Sequence, residues 1–246
     1  NSPGGTVTGS DYIYHHLKEL VHERKIPLVV SMGSIAASGG YYVAMAAGDK
    51  EKIIFAEPTT WTGSIGVIIP HYDLSGLLEK WNVADDSISS HPMKQMGSPT
   101  RQLTKEGREK EHELLKELVD ESFAGFKDIV LKSRAPLRKD KKLQDTVFTG
   151  RIFTAGQAKR MGLVDELGFV EDAIKRAIEL AGLDKDQVRV VKYTGSNNLL
   201  ASLMFGGEDE GKSFSKGFDL RSLLDLTVPR AFYLCTSLPS LSGSAN

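Results

Sequence analysis

The chain has 246 residues, 40% of them hydrophobic and 26% charged, with a formal net charge of −1, the make-up of one large globular domain or two small ones. So even a charge balance provides no global field to attract nucleic acid or anionic lipid, and no nucleic-acid partner is expected. Cys235 is the only cysteine, which excludes an intramolecular disulfide and a cysteine-paired zinc site, and no apolar run approaches the roughly 20 residues of a membrane-spanning helix.

The opening Asn1-Ser-Pro-Gly-Gly5 reads as a turn. Such a turn ordinarily follows a strand, so the expectation is a chain lacking its N-terminal strands. Over residues 10–23, Ile13, Leu17, Leu20 and Val21 recur at helical spacing behind a Ser10 or Asp11 cap. Residues 27–32 form a short apolar run suited to a buried strand, ended by Gly33. Residues 37–47 are rich in small side chains and read as a helix with Ser38 near its start, and 52–56 read as a further strand. Helix, strand and glycine turn in this order predict an α/β fold. Ser38 then occupies a strand-to-helix turn, where backbone N–H groups and the helix dipole favour an anionic oxygen.

Residues 62–69 read as a glycine-bearing strand, 74–81 as a helix and 84–90 as a short strand leading to the loop that carries Lys94. Leu114, Leu115, Leu118, Val119, Phe123, Phe126, Ile129 and Val130 define one long amphipathic helix within 105–132, capped by Thr104. Thr154 and Gln157 match a capping box whose helix closes at Gly162; 169–181 is another helix, ended by Gly182, and 187–193 a strand. Residues 206–217 read as a mobile loop and 237–246 as a frayed tail.

A serine hydroxyl is a poor nucleophile at neutral pH. It needs a proton acceptor beside it and N–H donors facing the oxygen that becomes negative. Ser38, the glycine-rich opening and Lys94 are candidates for nucleophile, oxyanion site and base. A lysine amine accepts a proton only when uncharged, which asks for burial without a carboxylate partner. Met93 and Met96 flank Lys94, and no acid lies between His91 and Arg101, so the expected setting is a desolvated amine. His71 or His91 acting as base is the lesser alternative, since neither sits in a motif that calls for it. His15, His16 and His22 read as solvated, and Tyr41, Tyr42, Trp61 and Trp81 as packing residues. No metal-ligand spacing and no phosphate loop is present, so no metal and no cofactor is expected.

Five segments in order carry a resemblance: Asn-Ser-Pro-Gly-Gly at 1–5, Ala-Ala-Ser-Gly-Gly-Tyr-Tyr at 36–42, Thr-Gly-Ser-Ile-Gly-Val at 62–67, Lys-Gln-Met-Gly-Ser-Pro at 94–99 and Gly-Arg-Ile-Phe-Thr-Ala-Gly-Gln-Ala at 150–158. Together they make residues 1–193 similar to the signal peptide peptidase A (SppA) family. The resemblance implies a ClpP/crotonase-like fold of repeated β-β-α units, with a long amphipathic helix for oligomer contacts. It implies a serine endopeptidase that cleaves remnant signal peptides or other apolar peptides through an acyl-enzyme, with Ser38 as nucleophile and Lys94 as general base. Ser64 would orient the lysine, and the oxyanion donors would be the N–H of Gly39 and one from Gly4 or Gly5.

The same resemblance implies a homo-oligomer whose active sites are shared between subunits. It also implies membrane association on an extracytoplasmic face, in bacterial periplasm, exterior or plastid, through an N-terminal anchor missing here. Residues 1–193 are expected to form the peptidase domain and 194–246 a C-terminal extension. Two other functions compete: a crotonase-type acyl-CoA enzyme, which needs neither Ser38 nor Lys94, and a non-catalytic membrane-associated scaffold.

Overall fold

The computed structural model describes residues 1–193 and 232–234. Strand β1 (Gly4–Thr6) leads directly into helix α1 (Val7–Arg24), whose cap is Thr6, its hydroxyl accepting the N–H of Gly9. The helix thus begins ahead of the expected Ser10 or Asp11 cap, because Thr6 leaves the strand in an extended conformation and supplies the oxygen itself. The expected apolar stripe of α1 is largely outside: Ile13 and Leu20 are exposed, and Ser10 is the buried residue of the helix.

Strands β2 (Val30–Met32) and β3 (Ile35–Ala37) follow, then α2 (Gly39–Ala44), β4 (Ile54–Ala56), β5 (Trp61–Gly63) and α3 (Ser75–Lys80). The strand-strand-helix order therefore occurs twice, in keeping with the repeated β-β-α units of a ClpP/crotonase-like fold. β3, Ile-Ala-Ala, carries no apolar run of the kind that announces β2 and β4. Residues 84–90 form no strand and lie exposed, with Ile88 wholly in solvent; a single chain offers them no sheet edge.

Helix α4 (Lys105–Ser133) is the long amphipathic helix, capped by Thr104 as expected. It is followed by α5 (Ala135–Lys139), α6 (Lys141–Val147), β6 (Ile152–Thr154) and α7 (Ala155–Arg160), whose Thr154/Gln157 capping box is formed. Strand β7 (Glu166–Leu167), helix α8 (Val170–Ala181) and strand β8 (Phe232–Leu234) complete the described elements. Residues 188–193 are irregular and, apart from half-buried Val188, exposed rather than a strand. The expected loop at 206–217 and tail at 237–246 lie outside the described residues.

Among the described residues there are three small sheets. β2 and β7 flank β4 with parallel pairing, β3 pairs parallel with β5 and β5 antiparallel with β6, and β1 pairs antiparallel with β8. Helices cover them: Phe126 and Val130 of α4, Tyr41 and Tyr42 of α2, Ile53 and Ile54 around β4 and Leu163 share one core. Tyr233 of β8 is buried in it, stacked on Tyr42 and touching Phe126, so a short piece of the expected extension contributes to this sheet and core. Buried Arg134 and half-buried Asp165 form an ion pair at 2.6 Å, and Asp165 also accepts the N–H groups of Ile53 and Ile54. Breaking one side of such a pair costs roughly 3–5 kcal/mol, because the surviving charge stays buried without compensation.

Candidate active site

Ser38 is the single residue between β3 and α2. Its backbone sits at φ 53° and ψ −117°, a sparsely populated region for a residue with a Cβ, where strain of about 1–3 kcal/mol must be outweighed by its surroundings. Two bonds hold it: the Ser38 N–H donates to the Gly63 carbonyl at 2.8 Å, and the Ser38 carbonyl accepts the Tyr42 N–H at 2.9 Å, closing the first turn of α2. The hydroxyl is buried, with the residue 1% exposed, and its Oγ has no hydrogen-bond partner. Leaving a buried hydroxyl unmet costs about 1–3 kcal/mol, so an orphan here marks a place kept for another purpose.

The opening segment is docked beside this turn by backbone pairing. The Ser2 N–H donates to the Ile35 carbonyl at 2.9 Å, and the Ala37 N–H donates to the Ser2 carbonyl at 3.0 Å. Asn1 Oδ1 accepts from the Ser34 hydroxyl and the Ile35 N–H. Pairing along β3 carries Gly4 and Gly5 past the start of α2, whose first-turn N–H groups have no intrahelical carbonyl to bond. The approach is close enough to forbid side chains. A Cβ on Gly39 would stand 3.1 Å from the Gly5 nitrogen and 2.3 Å from Ser10 Oγ, and Gly4, at φ 113°, could carry none. Gly4 also donates its N–H to Ser2 Oγ at 3.2 Å.

Ser64 follows β5 directly, is buried and, like Ser38, has positive φ, at 51°. Its N–H donates to the Arg151 carbonyl at 2.7 Å. Since the carbonyl before it holds Ser38, the two serines are fixed by one stretch of backbone. The structure therefore gathers Ser38, Gly39, Gly4, Gly5 and Ser64.

Lys94 is not gathered with them. It lies on a 3-10 turn, Pro92–Gln95, capped by His91, whose Nδ1 accepts the Met93 N–H at 3.1 Å. Both Lys94 and Met93 are exposed in the single chain, which corrects the expectation that the flanking methionines alone desolvate the amine. Ser38 Oγ receives no bond from Lys94, His71 or His91. The histidine alternative thus has no contact to support it.

The sequence marked Ser10 only as a helix cap, whereas its Oγ donates to the Thr6 carbonyl at 3.0 Å and limits the space at Gly39. Sequence reasoning missed Thr60 and Thr62, whose buried hydroxyls donate to the carbonyls of Met32 and Ala36 and tie β5 to its neighbours. A lone serine or threonine carries no pattern, so only the fold could reveal them. His15, His16 and Glu19 are the one grouping with metal-binding potential among the described residues, and all three are exposed on α1. Glu19 already pairs with both rings, at 3.4 and 3.0 Å.

Residues 21–184 match the model of peptidase family S49. The chain belongs to peptidase family S49. A presumed protease of Synechocystis is 40% identical over 91% of this chain and 76% of its own length. A presumed signal peptide peptidase SppA of Enterococcus faecium is 39% identical over 85% of this chain, and the chloroplastic serine protease SPPA of Arabidopsis thaliana 33% identical over 84%. This S49 peptidase spans 56% and 29% of the length of those last two relatives. The S49 chain is a serine peptidase by membership, which bears out the SppA-family resemblance. A solved structure described as an enoyl-CoA hydratase from Streptomyces avermitilis aligns with 16% identity over 71% of this chain and 44% of that one, at a TM-score of 0.30. That likeness is too low to lend the acyl-CoA reading any weight.

Proposed function

We propose that this S49 peptidase is an endopeptidase that cleaves remnant signal peptides or other apolar peptides through an acyl-enzyme on Ser38. The observation that carries the reading is the orphaned Ser38 hydroxyl, held on a strained turn with the Gly39 and Gly4–Gly5 backbones packed beside it. Ser38 Oγ attacks the peptide carbonyl, and the N–H of Gly39 with one from Gly4 or Gly5 receives the oxygen as it becomes negative. Gly4 acts in this way only after releasing Ser2, so Gly5 is the better placed of the two.

Lys94 takes the serine proton and returns it to the leaving amine, and Ser64 orients the lysine. An amine in solvent is a poor candidate for that role, so the reading requires a second subunit to cover Lys94 and complete the site. Exposed Tyr72, Leu77, Trp81, Val83 and Ile88, all in the stretch before Lys94, support such a homo-oligomer, since clustered apolar side chains of this size call for a partner surface. Membrane association on an extracytoplasmic face accords with apolar peptide substrates. No described helix is long and apolar enough to cross a membrane.

A fluorophosphonate carrying a short apolar peptide tests the reading. Labelling confined to Ser38, together with hydrolysis of the matching peptide, is the expected result. A Ser38→Ala protein that still cleaves peptides at the wild-type rate overturns it.

A further inference from the structure

We propose that Arg101 and Glu111 are positioning residues that hold the Lys94 turn in its working place, an inference that rests on Lys94 being the base. Glu111 is on the second turn of α4 and is 4% exposed, on a stretch of helix otherwise turned to solvent or half-buried up to Leu115. A carboxylate so placed demands partners. Its Oε2 accepts the N–H of Gly97 at 3.3 Å, and its Oε1 pairs with the Arg101 guanidinium. Arg101 in turn donates through Nη1 to the carbonyl of Pro92 at 2.6 Å.

Pro92 opens the 3-10 turn that bears Lys94, and Gly97 lies just beyond its end. One carboxylate therefore ties down both ends of the turn, directly on one side and through a guanidinium on the other. Lys94 is between the two anchors, and its own side chain takes no part in them. The turn's other bonds are local: the Met93 N–H to His91 Nδ1, the Lys94 N–H to the His91 carbonyl, the Met96 N–H to the Met93 carbonyl, the Ser98 N–H to the Gln95 carbonyl and the Gln95 side-chain amide to the Ser87 carbonyl, and its residues are largely exposed. The rigid partner is α4, a helix of 29 residues anchored in the core by Phe126 and Val130.

The geometry also explains why the cation is an arginine. A guanidinium reaches two acceptors at once through separate nitrogens, whereas an ammonium on a flexible stem holds one geometry poorly. Arg101 and Glu111 line a cavity of about 430 Å³ together with His71, Asp73, Arg108 and His112, and their own side chains are 14% and 5% exposed. With so little of either side chain in solvent, salt weakens the clamp less than it weakens surface pairs.

The test compares labelling of Ser38 by the peptidyl fluorophosphonate in the full chain for Glu111→Gln, Arg101→Lys, Lys94→Ala and the double variant Lys94→Ala with Arg101→Lys. Each clamp variant is expected to slow labelling by roughly 10²-fold, the scale of loss when a reacting group is misplaced by about 1 Å. The double variant is expected to be no slower than Lys94→Ala alone, because a residue that acts only through Lys94 has nothing left to act on. Clamp variants at the wild-type rate, or losses that multiply in the double variant, overturn the proposal. Wild-type labelling of Lys94→Ala, in which the clamp is intact, instead removes the base reading and the positioning role with it. Should Glu111→Gln fail to fold, Arg101→Lys and hydrogen exchange decide: faster exchange at the Lys94 and Met96 amides with α4 unchanged is expected, and unchanged exchange there overturns the clamp.

Discussion

The backbone N–H of Ser38 donates to the carbonyl of Gly63 at 2.8 Å, and the residue after that carbonyl is Ser64. Both serines have positive φ although neither is glycine. Strain at two residues linked only through the Gly63 peptide persists only if the strands on either side over-determine it. β3 and β5 do so by parallel pairing in which Ala37 opposes Gly63.

Relief of that strain is measurable. Ser38→Gly should be more stable than Ser38→Ala by about 1 kcal/mol or more, since glycine adopts the turn without a Cβ penalty. Both should be inactive. Urea unfolding of the two variants compared with wild type checks the difference, and equal midpoints for the two would remove the claim of backbone strain.

Gly39→Ala places a Cβ 2.3 Å from Ser10 Oγ, with the Gly4–Gly5 backbone just over 3 Å away. The start of α2 must shift, and peptide hydrolysis should fall by 10²-fold or more, on the scale of losing one oxyanion donor. Adding Ser10→Ala removes the tightest clash and should restore part of the stability in thermal melts. No restoration would mean that the glycine backbones, rather than Ser10, set the limit.

Mixing inactive Ser38→Ala with inactive Lys94→Ala subunits should regenerate activity if sites are shared, reaching at most about a quarter to a half of the wild-type level, depending on the geometry of exchange. Exchange is first established with labelled subunits. Two variants that exchange and never complement would place serine and lysine of one site in the same chain.

Asp165→Asn should destabilise the fold by roughly 3 kcal/mol, because Arg134 stays buried without its counter-charge. Chemical denaturation reads this directly. A loss below about 1 kcal/mol would show that the pair is hydrated in solution.

Alkaline pH should unfold this protein earlier than its charge balance suggests. Burial raises the phenols of Tyr41 and Tyr42 well above the ordinary 10.0, Tyr42 also through its bond to Asp11, and pushes Tyr233 up to about 12. A group raised in the folded state contributes stability that is fully present below its unfolded value and is lost as pH rises toward the folded one. Stability should therefore fall from about pH 10 upward, by as much as about 1.4 kcal/mol per pH unit for each tyrosine involved. Urea midpoints from pH 8 to 11 test this, and Tyr42→Phe should flatten the fall. A slope unchanged by Tyr42→Phe would exclude that residue.

The α/β class, α4 with its Thr104 cap, the Thr154/Gln157 capping box and the position of Ser38 between a strand and a helix were all legible in the chain, because each rests on residues within a few positions of one another. The short strands β3 and β6 were not. β2 and β4 are equally short but lie in the apolar runs 27–32 and 52–56, whereas no such run surrounds β3 or β6, and their pairing partners are far along the chain. What only the tertiary structure decided is which distant segments meet. Ser2 pairing with β3 brings Gly4 and Gly5 against Gly39, and Glu111 reaches back to the turn of Lys94. The Met-Lys-Gln-Met stretch looked desolvated because its neighbours are apolar. It is solvated in one chain because burial belongs to the three-dimensional neighbourhood, which adjacent side chains alone do not supply.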